Sequence, residues 1–248
     1  MAILTALPVS LATAFLPMTG SAGDTWALTH STDANVATAI DISDSIGRHE
    51  EWLQKFGLTR ALVSEDFLEA VRVGRWARIG FAVFSWSDDD RFEVLIPWTK
   101  ISSGDDARRI AAQIQSLSLI EQSNYHDRDH GKEEPPAQGE RLTDISGAID
   151  FGSRILALAP FKADRSVLNV LANGVDNVGE GPEAARDRAL THGFTVNAVA
   201  LSSAPDLTDY FRSCVIGGHG AFVLEFSDPR NVHEIMAKKF LLDLVAVF

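Results

Sequence analysis

The chain has 248 residues, 46% of them apolar, and a formal net charge of −12. That length suits one large α/β domain with a sizeable core. The acidic balance excludes non-specific nucleic-acid binding and attachment to an anionic membrane surface, since both reward basic patches; a divalent cation or a basic partner suits the sign. The single cysteine, Cys214, rules out an intrachain disulfide and reads as a small core residue.

The stretch Ala2 to Leu16 is mostly apolar but broken by Thr5, Pro8, Ser10 and Thr13, too short and interrupted for a membrane span. Gly20-Ser21-Ala22 then supplies small residues suited to a signal peptidase, so residues 1–22 read as a secretory signal peptide and 23–35 as a linker. No Lys or Arg precedes Arg48, so the charged start of a signal peptide is missing, and an uncleaved apolar arm is the alternative. Export implies a periplasmic or secreted protein, the arm a cytoplasmic one.

Val36 to Ile42 is a strand, and it runs into Asp41-Ile42-Ser43-Asp44-Ser45. This Asp-x-Ser-x-Ser sits on a strand-to-helix turn, which gathers a carboxylate and two hydroxyls beside the free N–H groups of a helix start. Hard cations such as Mg²⁺ take oxygen ligands of this kind and keep several waters. The competing explanation is a plain helix N-cap.

A helical pattern follows from Ser45 to about Val73, with a break suggested at Gly57 and Thr59. Ala77 to Trp86 is a strand buried on both faces. After the turn Ser87 to Asp90, Phe92 to Ile96 pairs back as an antiparallel edge strand ending at Pro97. Ser102 to Asp106 starts a helix, and Gln122 to Arg141 is a long polar loop. His126 and His130 in that loop fall short of the ligand count of a zinc site. A helix begins at Thr143–Ser146, a strand runs from Arg165 to Ala172, and the loop Asn173 to Asn177 follows. Pro182 to His192 is helical, Phe194 to Leu201 a strand, Leu207 to Arg212 a short helix and Ala221 to Phe226 a strand. A last helix, capped by Asp228, reaches about Leu244.

Strands alternating with helices imply a three-layer, doubly wound, mostly parallel sheet with one antiparallel edge strand. In such sheets the ligand sits beyond the carboxyl ends of the strands, where the strand order reverses. If the strands ending at Asp41 and Ala172 are neighbours there, the loops at Asp41, Thr143 and Asn173 meet.

In motif and element order, residues 35–245 resemble the von Willebrand factor A-domain superfamily, the integrin I-like fold, so 36–248 is expected to be one such domain. Ile96-Pro97-Trp98-Thr99 and Tyr210 to Gly218 resemble an uncharacterised bacterial branch of it, a domain of unknown function. The resemblance implies a metal-ion-dependent adhesion site with Asp41, Ser43 and Ser45 on loop one and Thr143 on loop two. Asn173 stands where the superfamily has a loop-three aspartate, and Asp176 is a poorer substitute for it. An amide oxygen brings no charge, so Mg²⁺ or Mn²⁺ would bind weakly. The implied function is a metal-dependent binding module for a protein or another carboxylate-bearing ligand, without catalysis. A metal-assisted hydrolase, with His49, His126 or His130 as its base, and a scaffold with a degenerate metal loop are the alternatives.

Overall fold

The computed structural model describes residues 30–43, 45–87, 91–119, 143–201, 204–226 and 232–245. The regions expected as signal peptide and polar loop, with His126, His130 and Asp228, lie outside the described residues. Six strands form one sheet: β1 (Ser31–Asp41), β2 (Ile79–Trp86), β3 (Phe92–Ile101), β4 (Lys162–Ala172), β5 (Thr195–Ala200) and β6 (Val223–Glu225). Their order is β3-β2-β1-β4-β5-β6. Among these described strands only the β2–β3 pair is antiparallel. The expected α/β architecture is therefore the observed one, with β1 and β4 adjacent where the order reverses.

Helices cover both faces: α1 (Arg48–Leu62), α2 (Glu65–Val73), α3 (Gly104–Ser116), α4 (Ile145–Ala157), α5 (Pro182–Thr191), α6 (Pro205–Tyr210) and α7 (Val232–Val245). A single π turn, Phe211–Val215, continues α6. β1 alternates between the layers. Val36 and Ile40 face Leu53, Leu58, Phe67 and Phe240, while Ala37 and Ala39 face Ile145, Ala148 and Ile149. Small residues on the second face let α4 come close. A Cβ built on Gly152 would lie 2.4 Å from Leu168 Cδ1, and Leu168 is fully buried. Gly152→Val should therefore overpack this contact and cost about 1–3 kcal/mol, read as a lower denaturation midpoint with an unchanged slope.

Three local expectations need correction. β1 begins at Ser31, so residues 31–35 are strand rather than linker; pairing with β4 extends the ladder back to Ser31↔Lys162. The expected break at Gly57 and Thr59 lies inside α1, because Gly57, Leu58 and Thr59 are buried against the core and hold that turn. The break comes at Val63, and Ser64 caps α2 by accepting from Phe67 N. β3 does not stop at Pro97. The register moves from Phe81↔Thr99 to Val83↔Ile96, so Pro97 and Trp98 bulge opposite Ala82. A bulge on an edge strand accommodates a residue that cannot donate to the ladder.

Candidate metal centre

Asp41 is the last residue of β1 and is fully buried. Its position is set from both sides. β1 stays in register with β2 as far as Asp41↔Trp86, but its pairing with β4 ends at Ala39↔Val170. Beyond that point the side chain of Gln54, on α1, acts as the next rung. Asp41 N donates to Gln54 Oε1 at 2.9 Å, and Gln54 Nε2 donates to Asp41 O at 2.9 Å. Gln54 is itself fully buried. The sequence reading missed it. The available signal was periodicity, because its i+4 and i+7 neighbours, Leu58 and Ala61, lie on the buried face.

From Asp41 the chain turns tightly. Asp41 Oδ1 accepts from Ser43 N at 2.9 Å. Ser43 Oγ lies 2.9 Å from Ser45 Oγ, and Ser45 Oγ donates to Asn173 Oδ1 at 2.8 Å. A hydroxyl has one proton. Since that of Ser45 goes to Asn173, Ser43 is the donor between the two serines. Asn173 Nδ2 in turn donates to Ser45 O at 3.1 Å, which fixes the amide with its oxygen toward the hydroxyls. Asp41, Ser43, Ser45 and Asn173 are thus linked by one chain of hydrogen bonds across the switch point, the first of them through the Ser43 backbone N–H.

Thr143 is buried and is tied to the third loop rather than hydrogen-bonded to the serines. Its N–H donates to Asn177 Oδ1 at 2.7 Å, and Asn177 N donates to Thr143 O at 3.1 Å. A Cβ built on Gly174 would lie 3.7 Å from Thr143 Oγ1, which places the hydroxyl beside the loop that carries Asn173. Asp144 caps α4 by accepting from Gly147 N at 2.7 Å.

Asp176 is committed elsewhere. Its Oδ1 accepts from Ser146 N at 3.1 Å, at the start of α4, and its own N–H donates to Tyr210 Oη at 3.1 Å. Burial pushes the Asp176 carboxyl up to about 6; Asp144 and Glu183 add to the rise, and hydrogen bonds from Ser146 and Ile145 oppose it. Burial likewise lifts the Tyr210 hydroxyl to about 12. A carboxyl raised in the folded state holds a proton that the unfolded chain has already lost. Its contribution is present below its unfolded pKa and falls away as pH rises through about 6. Asp176→Asn should therefore raise the melting temperature above wild type near pH 8, and that gain should shrink as pH drops through about 6. Paired thermal melts across that range check it.

The donor set fits a hard divalent cation. It combines one carboxylate with hydroxyl and amide oxygens, with no sulfur or imidazole. Among the described residues no three His, Cys, Asp or Glu side chains gather as a metal-holding group, so charge on an ion here would come chiefly from Asp41. His49 is exposed on α1 with its ring stacked on Trp52, centroids 6.2 Å apart. Cys214 is half-buried beside Glu183 rather than sealed in the core.

Solved structures place this fold among von Willebrand factor A domains. The chain is similar to proximal thread matrix protein 1 (PTMP1) from the mussel byssus with a zinc-occupied MIDAS motif. Identity is 16% and the TM-score 0.58, over 87% of this chain and 48% of that one. It is also similar to the vWF domain of the type V pili tip protein Mfa5 from Porphyromonas gingivalis. There identity is 11% and the TM-score 0.56, over 88% of this chain and 97% of that one. The chain thus spans about half the length of the mussel protein. No curated protein matches it at the sequence level. At these identities the likeness establishes the fold. The family model described as "Protein of unknown function (DUF1194)" matches residues 31–248, and the chain, with its von Willebrand factor A-like fold, belongs to that family.

Proposed function

We propose that the protein is a metal-dependent binding module that acts outside the cytoplasm. Asp41, Ser43, Ser45, Thr143 and Asn173 would hold Mg²⁺ or Mn²⁺ weakly, and the ion would take a carboxylate from a protein or other acidic ligand. The observation that carries this reading is the continuous chain of hydrogen bonds from buried Asp41 through Ser43 and Ser45 to Asn173, built from residues of two loops. With few protein anions around it, an ion there keeps enough positive charge to attract one more from a partner. The zinc-occupied MIDAS of the mussel protein supports the reading by analogy of fold. The apolar start of the chain supports export, and among the described residues no helix is long and apolar enough to cross a membrane.

One observation favours a second reading, a scaffold with a degenerate metal loop. The Asn173 amide already bridges the two loops by accepting from Ser45 Oγ and donating to Ser45 O, with no ion required. For the hydrolase alternative, the His49 ring stacks on Trp52, and the other two candidate bases, His126 and His130, lie outside the described residues. The deciding experiment immobilises the chain and passes acidic peptides over it with Mg²⁺, with Mn²⁺ and with chelator. Retention that needs the metal and is lost in Asp41→Ala supports the module. Retention indifferent to metal supports the scaffold.

A further inference from the structure

The middle of the sheet carries a buried polar cluster that has no part in the metal centre. Asn169 on β4 stands in register with Asn197 on β5, and both are fully buried. α7 lays Lys239 and Asp243, one turn apart, over this pair; both side chains have no exposure. Asp243 Oδ2 accepts from Lys239 Nζ at 2.8 Å and from Asn169 Nδ2 at 3.1 Å. Asp243 Oδ1 accepts from Asn197 Nδ2 at 2.9 Å. One carboxylate oxygen therefore touches both an amine and a primary amide, in a site sealed from water. The Phe240 ring lies 3.9 Å from Nζ.

We propose that Lys239 and Asn169 close an intramolecular isopeptide bond, with Asp243 carrying the proton between them, so that α7 becomes covalently tied to β4. Asp243 Oδ2 first takes a proton from the Lys239 ammonium. The freed lone pair on Nζ then forms a bond to Asn169 Cγ. The proton on Oδ2 passes to Asn169 Nδ2, and the Cγ–Nδ2 bond breaks with its electron pair on nitrogen. The remaining surplus proton on Nζ passes through Asp243 to the departing ammonia, which leaves as ammonium. Nothing is oxidised or reduced, and no co-reactant is needed.

The surroundings suit this chemistry. Burial lowers the Lys239 pKa, against the pull of Asp243, and so favours the neutral amine that must attack. Asn197 Nδ2 lies 3.5 Å from Asn169 Oδ1, where negative charge develops in the tetrahedral intermediate. Asn169 rather than Asn197 is the partner, because it shares Asp243 Oδ2 with Lys239, whereas Asn197 Nδ2 donates to the other carboxylate oxygen, Oδ1. Holding amine, amide and carboxylate together in the folded core makes the reaction effectively unimolecular.

The test is the intact mass of the folded full chain, measured after denaturation, followed by peptide mapping. The expected wild-type result is a deficit of one ammonia per chain and a branched peptide joining Lys239 to Asn169. Asp243→Asn keeps the shape, removes the proton carrier and should return the full sequence mass. Lys239→Met should do the same. A wild-type chain at full mass, with linear peptides containing unmodified Lys239 and Asn169, overturns the proposal and leaves a buried ion pair. A deficit that maps to a cyclic imide at Asn173–Gly174 overturns it equally. The wild-type measurement alone decides if the variants fail to fold.

Discussion

Asp41→Ala should abolish the rise in melting temperature that Mg²⁺ gives the wild-type chain. A ligand that binds only the folded state stabilises it by RT ln(1 + [L]/Kd), about 2.7 kcal/mol at a hundredfold excess over Kd. Asp41 supplies the carboxylate of the proposed donor set, so its loss should remove that increment. Asn173→Asp should shift the response the other way, to lower metal concentration, for two reasons. It adds an anion beside the serines. It also replaces the Nδ2 donor that now reaches Ser45 O at 3.1 Å by an oxygen, so the metal-free form is destabilised by facing acceptors. The quantity to compare is the metal-induced increment within each variant, since the absolute melting temperature also carries that second effect. If neither the wild type nor Asn173→Asp responds to Mg²⁺ or Mn²⁺, the metal reading fails and the scaffold stands.

Gln54→Leu should destabilise the protein more than its conservative shape suggests. Leucine fills a similar volume on α1, so no large cavity forms. What is lost is the partner of two buried backbone groups, Asp41 N–H and Asp41 C=O. A buried polar group deprived of its hydrogen bond costs about 1–3 kcal/mol, so the pair is expected to cost several. The same change frees the start of the Asp41–Ser45 turn and should weaken any metal-induced increment, although residue 54 contributes no metal ligand. Gln54→Glu keeps the shape. Protonated, its carboxyl can still accept from Asp41 N–H and donate to Asp41 O; ionised, it buries a charge against Asp41 O, so its deficit should grow as pH rises. Chemical denaturation, with and without Mg²⁺, reads both quantities.

Much of the architecture was legible because it rests on local signals. Ala77 to Trp86 reads as a doubly buried strand from composition alone, and Ile79–Trp86 is one. Ser103 and Asp144 accept from the N–H groups of Asp106 and Gly147, so those helix starts were set by short-range capping. Pro97 was a misleading signal. Proline does lack a donor, but an edge strand can bulge around it, and β3 continues to Ile101. Gly57 misled in a similar way. Helix propensity is a weak prior, and burial of Leu58 beside it outweighs the cost of one glycine.

The site divides along the same line. The turn that bends Asp41, Ser43 and Ser45 together is a matter of neighbouring residues, and the sequence determined it. The partner of that turn is not local: Asn173 meets Ser45 across 128 residues, and only the pairing of β1 with β4 brings them within 2.8 Å. Gln54 looked like an ordinary polar helix residue until α1 packed it against the end of β1. Lys239 and Asp243 are a standard i,i+4 surface pair in sequence terms, yet both are fully buried. The tertiary structure decided that placement, because the row Asn169–Asn197 on the sheet supplies amide donors that satisfy the Asp243 carboxylate inside the core. Propensity and turn chemistry act over a few residues, whereas a buried charge finds its partners only when the layers close.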